Sequence, residues 1–399
     1  MVPVEFVLFG LMLAGVARFH ERALECALAG LAAITAYKLA FTGFDAGPGL
    51  AGLVAHLRHE WVVLVNLLAL LLGFAVLARH FEESRVPQVL PRVLPDDWKG
   101  GFVLLLLIFV LSSFLDNIAA AIIGGTIAST VFGGRLHVGY LAAIVAAANA
   151  GGAGSVIGDT TTTMMWLEGV AAADVLHAYI AAGVALLVCA VPASLQQQRF
   201  SPIMADPPPA LRIDWSRAAV VGCILAAAIV TNVFVNTRAP ELGASFPCIG
   251  AAVWAALVLC APLRAPDWSM LPASARGSFF LLALVTAASM MPVDRLPAAS
   301  WAVALGLGFI SAVFDNIPLT KLALEQGGYD WGIVAYAVGF GGSMVWFGSS
   351  AGVALSSQFS QARSIAAWLR HGWHVALGYV VGFLVLLAAL GWRPVPLPR

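Results

Sequence analysis

The sequence predicts an all-α polytopic membrane protein with two inverted-topology repeats, each containing a re-entrant hairpin and a broken transmembrane helix. Hydrophobic residues make up 61% of the 399 residues and charged residues only 11%, whereas a soluble domain carries about 25% charged residues. The tripeptide Asp-Asn-Ile occurs in each half, beginning at Asp116 and at Asp315. A long apolar segment interrupted by glycine and serine follows each copy. The composition therefore predicts the membrane, and the duplicated pattern predicts the repeats.

Eight apolar stretches are long enough, at roughly 20 residues each, to cross the hydrocarbon core as helices. They lie near residues 3–19, 23–42, 61–79, 173–192, 214–236, 245–263, 278–293 and 372–391. The first stretch has no basic region before it and no small-residue cleavage site, so it is interpreted as a retained helix and not as a signal peptide. The five cysteines show no Cys-x-x-Cys spacing and are interpreted as packing residues.

Two further segments are predicted to form re-entrant hairpins, near residues 101–134 and 299–328. In the first, the arms 101–115 and 118–132 would each be about 22 Å long as helices, too short to cross about 30 Å of hydrocarbon. Each hairpin would carry its Asp-Asn pair at a buried tip. The alternative is one tilted long helix for each segment.

The segments that follow the hairpins, about 138–167 and 330–358, are predicted to be broken helices. They contain NAGGAGSVIGDTTTTMMW and GFGGSMVWFGSSAGVALSS, and glycines allow the backbone to unwind and to approach a ligand closely. Tight helix packing through small residues would explain scattered glycine and serine. It does not explain Asp159 followed by four threonines.

The lysine and arginine positions orient the chain, because cytoplasmic loops carry an excess of these residues. Most of them fall on the cytoplasmic side if both termini lie outside. The hairpins then open to opposite sides, and the chain divides into a first repeat (1–194), a cytoplasmic linker (195–213) and a second repeat (214–399). Inverted repeats with interrupted helices are typical of secondary transporters with a binding site at the membrane midplane.

Three carboxylates are predicted to lie within the membrane: Asp116, Asp159 and Asp315. A charged side chain near the bilayer centre costs about 2.5–3.5 kcal/mol on insertion scales, so such residues are rarely idle. A buried carboxylate favours a proton, and a bound cation favours the ionised form. Such a group holds either a proton or a metal ion, which is the physical basis of ion/proton exchange. The hypothesis is therefore that a small hard cation binds at these three aspartates.

Asn117 and Asn316 would add neutral oxygen ligands beside the aspartates, or serve as turn-forming residues at the hairpin tips. Lys321 lies within two helical turns of Asp315. It could act as an internal counter-ion that pairs with a carboxylate when no ion is bound, or it could extend to the outer surface.

The sequence contains no pattern typical of an enzyme. Val156 stands where the motif of an intramembrane aspartyl protease would have glycine, and no serine nucleophile with a partner histidine or Walker motif is present. No cofactor is expected beyond the transported ions, Na⁺ or Li⁺ and H⁺. The zero net charge indicates no nucleic-acid partner.

The stretches NAGGAGSVIGDTTTTMMW and AVFDNIPLT…QGGYDWGIVAYAVGFGGSMVWFGSSAGVAL resemble the NhaD-type sodium/proton antiporters, within the ion transporter superfamily that includes citrate-transporter-like carriers. The resemblance implies a homodimer in a bacterial-type inner membrane, with the lipid bilayer and a small ion as partners. It implies an ion- and proton-binding set of Asp116, Asn117, Asp159, Thr160, Asp315, Asn316, Ser343, Ser349 and Ser350. Lys321 departs from the family pattern, which has a small neutral residue there.

The expected function is sodium or lithium/proton antiport. The alternative is a citrate/dicarboxylate or oxyanion (arsenite-like) carrier driven by H⁺ or Na⁺. The aspartates at both hairpin tips argue against an anion carrier, because they would repel a dianion unless they are protonated or their charge is neutralised by Lys321. A third reading is an accessory membrane protein without transport activity.

Overall fold

The computed structural model describes residues 3–19, 22–44, 47–86, 94–155, 158–203 and 212–396. Apart from an isolated bridge between Phe44 and Gly47, its regular structure in these ranges is helical. Six helical segments of the described chain are long and apolar enough to cross a membrane. The protein is therefore an integral, multi-pass, all-α membrane protein, as the composition predicts.

The helices of the first half are α1 (Val4–Arg18), α2 (Ala23–Tyr37, continued by a π-helical turn, Lys38–Thr42), α3 (Gly49–Glu83), α4 (Trp98–Ser112), α5 (Asn117–Val131), α6 (Val138–Ala153), α7 (Thr160–Leu167), α8 (Ala172–Leu176) and α9 (Ala178–Phe200). Those of the second half are α10 (Trp215–Arg238), α11 (Pro240–Ser245), α12 (Cys248–Cys260), α13 (Leu271–Ser289), α14 (Trp301–Ser311), α15 (Asn316–Gln326), α16 (Trp331–Gly341), α17 (Ser350–Gln358), α18 (Ile365–His371) and α19 (Trp373–Leu390).

Several helices differ in length from the predicted spans. Helix α3 has 35 residues, about 52 Å at the usual rise, and extends well beyond the predicted 61–79. Helix α12 has 13 residues in place of the predicted 245–263, since Pro247 precedes it and Pro262 follows it, and neither continues a helix. Helix α9 continues to Phe200, so the first part of the predicted linker is helical; residues 204–211 lie outside the described ranges.

Each segment with an Asp-Asn pair consists of two helices and not of one continuous helix. Helices α4 and α5 are joined by residues 113–116, and α14 and α15 by residues 312–315. The following segments are also interrupted, because α6 ends at Ala153 before α7 begins, and α16 ends before a 3₁₀ turn, Gly342–Met344, and α17. The breaks thus lie next to the aspartates.

Helices α6 and α16 form the centre of the protein. All residues of α16 are buried, and all of α6 from Gly139 onward. Each packs against the preceding pair through a serine hydrogen bond: Ser112 Oγ donates to the carbonyl oxygen of Ala148 at 2.6 Å, and Ser311 Oγ to that of Val338 at 2.7 Å. The two halves therefore use the same contact.

A glycine allows the close approach of α4 and α6. A Cβ atom on Gly151 would lie 2.0 Å from the backbone oxygen of Phe109, so Gly151→Ala would force the two helices apart. We expect the free energy of unfolding to fall by about 1–3 kcal/mol, the usual effect of overpacking. Gly183→Ala in α9 is the matched control, because its Cβ would meet nothing within 4 Å. Thermal unfolding in detergent gives the unfolding midpoint of each variant. Equal midpoints for the two variants would contradict the prediction.

Candidate functional site

Four helices begin at the predicted site residues. Asp116, Asp159, Asp315 and Ser349 are the N-cap residues of α5, α7, α15 and α17. Oδ1 of Asp159 accepts a hydrogen bond from the Thr161 amide at 3.0 Å, and Oδ1 of Asp315 accepts one from the Ile317 amide at 3.0 Å. A helix N-terminus carries partial positive charge and stabilises negative charge placed on it.

One cavity of about 870 Å³ brings residues of both halves together. Asp116 and Thr160 from the first half line it, with Asp315 and Ser350 from the second. Ser350 Oγ donates a hydrogen bond to Oδ2 of Asp315 at 3.1 Å. The remaining wall is mainly apolar, and α1, α3 and α13 contribute to it with residues such as Leu13, Leu67, Leu70, Phe74 and Phe280.

A buried polar network lies next to these residues and also joins the halves. Asn117 Nδ2 donates to Oδ1 of Asn149 at 3.1 Å. Asn149 Nδ2 lies 2.9 Å from Ser343 Oγ and 3.1 Å from Ser349 Oγ, within hydrogen-bonding distance of both. Asn149 is fully buried. Its side chain therefore connects Asn117 to two hydroxyls of the other half.

Asp159 is the most deeply buried of the three aspartates, with 2% of its surface exposed. No donor among the described residues reaches its Oδ2 atom. The carboxylate interacts electrostatically with those of Asp116 and Asp315. A Cβ atom on Gly339, in α16, would lie 3.4 Å from Oδ2, so Asp159 faces a position without a side chain.

The aspartates do not meet at a single point. Within the described ranges, the three aspartates do not form a group that could hold a metal ion together, and no other set of three or more histidine, cysteine, aspartate and glutamate side chains forms such a site. A cation in the cavity would therefore take a mixed set of oxygen ligands. Asn316 is buried at the start of α15 but is not among the residues that line the cavity.

Lys321 pairs with residues other than Asp315 and lies away from the surface. Its Nζ atom forms ion pairs with Glu168 at 2.6 Å, Glu325 at 2.8 Å and Glu60 at 2.9 Å. The side chain is 1% exposed, so it does not extend to the outer surface. The partners of this lysine are glutamates that sequence reasoning did not single out.

Asn149 was also missed as a site residue. It stands in a run of alanine and glycine in α6, where a buried amide is conspicuous, so its polarity was the available signal. The sequence carried no comparable signal for Glu60, because it follows Arg58 and His59 and so has the pattern of a solvated helix end.

A second cavity, of about 1000 Å³, adjoins the first. Glu82 and Ile122 line both cavities. The second is otherwise lined mainly by charged residues where α3 ends and α10 begins, including Arg79, Glu83, Asp214, Arg217 and Arg264. The Arg264 guanidinium, 2.9 Å from Asp214, lowers the pKa of that carboxyl group, so its charge persists.

Known relatives are sodium/proton antiporters. The chain is 28% identical over 309 residues to sodium/proton antiporter 2 of Arabidopsis thaliana, covering 69% of this chain and 70% of the relative. It is 25% identical over 397 residues to sodium/proton antiporter 1 of the same plant, covering 87% of this chain and 66% of the relative. An 85-residue stretch, 20% of this chain and 17% of the relative, is 35% identical to the Na⁺/H⁺ antiporter NhaD of Halomonas elongata.

No protein-family model matches the chain. The chain spans about two thirds of the length of the two plant relatives. The matches extend across most of the chain, and the carboxylates of both halves face one cavity. Over most of its length the chain is therefore similar in sequence to two proteins named sodium/proton antiporter, and over 85 residues to the antiporter NhaD.

Proposed function

We propose that the chain is a secondary active transporter that exchanges Na⁺ (or Li⁺) for H⁺, with Asp116, Asp159 and Asp315 shared between cation and proton near the midplane. The names of the three relatives support the reaction. The observation that carries the assignment to these residues is the single cavity lined by Asp116 and Asp315, with Asp159 buried beside them.

The exchange follows from competition at the carboxylates. Na⁺ is a hard cation that prefers oxygen ligands, as Mg²⁺ and Ca²⁺ do. Asp116 and Asp315 would supply charge, and Thr160 and Ser350 would supply hydroxyl oxygens. Two or three ionised carboxylates in a mainly apolar cavity repel one another, so they take up either a cation or protons. Binding of one species then releases the other.

We further propose that the halves are inverted-topology repeats with re-entrant hairpins. Reciprocal packing supports this, because α2 packs on α13 as α12 packs on α3, and α5 on α17 as α15 on α7. The site repeats the pattern. Asn149 of α6 contacts Ser349, the N-cap of α17, and Gly339 of α16 faces Asp159, the N-cap of α7. Such reciprocity is expected of two related halves around a twofold axis.

The arrangement in the membrane is part of the proposal. The loop charges support termini on the outside of a bacterial-type inner membrane. The family resemblance supports a homodimer. The cavity that adjoins the central one lies where α10 begins, beside the linker, and would give the aspartates access from the cytoplasm.

Transport by the protein in inside-out membrane vesicles tests the function. Added Na⁺ or Li⁺ should dissipate an imposed proton gradient. Raising the pH should lower the apparent KM for Na⁺, because fewer protons then compete for the same carboxylates. A gradient that is unchanged by Na⁺ while labelled citrate or arsenite accumulates would overturn the proposal in favour of an anion carrier.

A further inference from the structure

Four charged side chains form a cluster outside the cavity: Lys321, Glu60, Glu168 and Glu325, here called the Lys321 cluster. Glu168 contributes the shortest contact, since Lys321 Nζ donates a hydrogen bond to its Oε1 at 2.6 Å. Glu60 Oε2 lies 2.9 Å from Nζ but has no hydrogen-bond partner among the described residues. Charge-assisted hydrogen bonds are the stronger kind. The Lys321–Glu168 contact is the shortest of the cluster, and it joins the two halves of the chain.

This contact connects two of the three helices that begin at the candidate site aspartates. Helix α7 has Asp159 at its N-cap and Glu168 at its C-cap. Helix α15 has Asp315 at its N-cap and carries Lys321. The two helices pack against each other and come from different halves of the chain. Glu60 joins α3, whose residues line the cavity, to the same ammonium group.

Burial makes the contact strong and specific. An ammonium group that is 1% exposed must be compensated by negative charge, because an unpaired buried charge is strongly destabilising. Glu168 and Glu325 keep 25% and 29% of their side-chain surface exposed. This partial exposure explains how three carboxylates are tolerated around one ammonium group, since two of them reach the edge of the protein.

We propose that Lys321 and Glu168 are positioning residues for ion exchange. Their ion pair holds α7 against α15 and so sets the separation of Asp159 and Asp315 at the N-termini of these helices. The effect on transport rests on the proposed function. The contact between the two helices is a structural property and can be tested without transport. Lys321 acts through the helices and not as a counter-ion of Asp315.

Glu168→Gln and Glu325→Gln form a matched pair for the test. Both carboxylates contact the same Nζ with similar exposure, but Glu325 lies on the same helix as Lys321, at i+4, and Glu168 lies on α7. We expect Glu168→Gln to raise the KM for Na⁺ about tenfold or more, since small misplacements of reacting groups have effects of up to about a hundredfold. Glu325→Gln should leave KM within about twofold, a fraction of a kcal/mol. Equal effects would overturn the proposal, because they would indicate only local charge balance.

Amide hydrogen exchange of residues 161–167 supplies a readout that needs no transport. Exchange should be faster in Glu168→Gln and unchanged in Glu325→Gln. If Glu168→Gln does not fold, Glu168→Asp, which keeps the charge but shortens the reach, should show the same direction of change. If amide hydrogen exchange is unchanged in the Glu168 variant, the proposal that this ion pair holds α7 against α15 is overturned, even if Na⁺/H⁺ transport is confirmed. If the wild-type protein does not exchange Na⁺ for H⁺, the proposed function is overturned. The rate of amide hydrogen exchange in α7 would still show whether the Lys321–Glu168 ion pair holds the helices together.

Discussion

Asp315→Asn is expected to abolish Na⁺-dependent dissipation of a proton gradient in inside-out vesicles. The substitution removes one of the negative charges that line the cavity and leaves an amide that neither releases a proton nor neutralises a cation. The helix should persist, because asparagine is as good an N-cap as aspartate and its oxygen can still accept the Ile317 amide hydrogen bond. The loss would therefore reflect chemistry and not folding.

The matched control for Asp315→Asn is Asp294→Asn. Asp294 lies in the turn Val293–Arg295, and 73% of its side chain is exposed. This variant should transport as the wild type does, and both variants should keep the wild-type unfolding midpoint. Transport at the wild-type rate in Asp315→Asn would contradict the assignment of Asp315 as a shared ion and proton site.

Asn149→Ala is expected to lower both stability and affinity for Na⁺. The amide is within hydrogen-bonding distance of three partners, namely Asn117, Ser343 and Ser349. Its removal leaves buried polar groups unpaired, and each such group lowers the free energy of unfolding by about 1–3 kcal/mol. Because Ser349 and Asn117 belong to the N-terminal turns of α17 and α5, their displacement should also raise the KM for Na⁺, by roughly tenfold. Thermal unfolding and vesicle transport measure the two effects.

Asn66→Ala separates stability from function. Asn66 is also buried, and its Oδ1 accepts a hydrogen bond from the Gly250 amide at 3.0 Å, where α3 packs on α12. It does not line the cavity. We expect this variant to lower the unfolding midpoint and to leave the KM unchanged. If both asparagine variants changed the KM equally, Asn149 would have no special place in the site.

Much of the site could be predicted because charge is rare in a membrane sequence. Asp116, Asp159 and Asp315 stand in segments that are otherwise apolar, and the free energy needed to bury a carboxylate there makes each of them a site candidate. The breaks after α6 and α16 were predictable for a related reason, since runs of glycine interrupt the helical pattern. These features are local, and local chemistry can be seen in the residue order.

Helix ends and partners were predicted less well. The apolar pattern marks where a helix crosses lipid, but it does not mark where a helix such as α3 continues beyond the membrane. Glu168 was missed as a partner of Lys321 because it is 153 residues away along the chain. Glu325 was missed although it lies four residues after Lys321, a spacing at which side chains of a helix meet. Asn149 lies 200 residues from Ser349, and no spacing rule relates the two positions.

By itself the sequence determined the all-α membrane class and the duplicated Asp-Asn pairs, and it singled out the aspartates as candidate site residues. Only the tertiary structure decided that Asp116 and Asp315 share one cavity, that Asn149 links the halves and that Lys321 pairs with Glu60 and Glu168. The physical reason is the range of the forces. Hydrophobicity and the cost of burying charge act on each residue where it stands, whereas hydrogen bonds and ion pairs act over a few ångströms and depend on which distant helices the fold brings together.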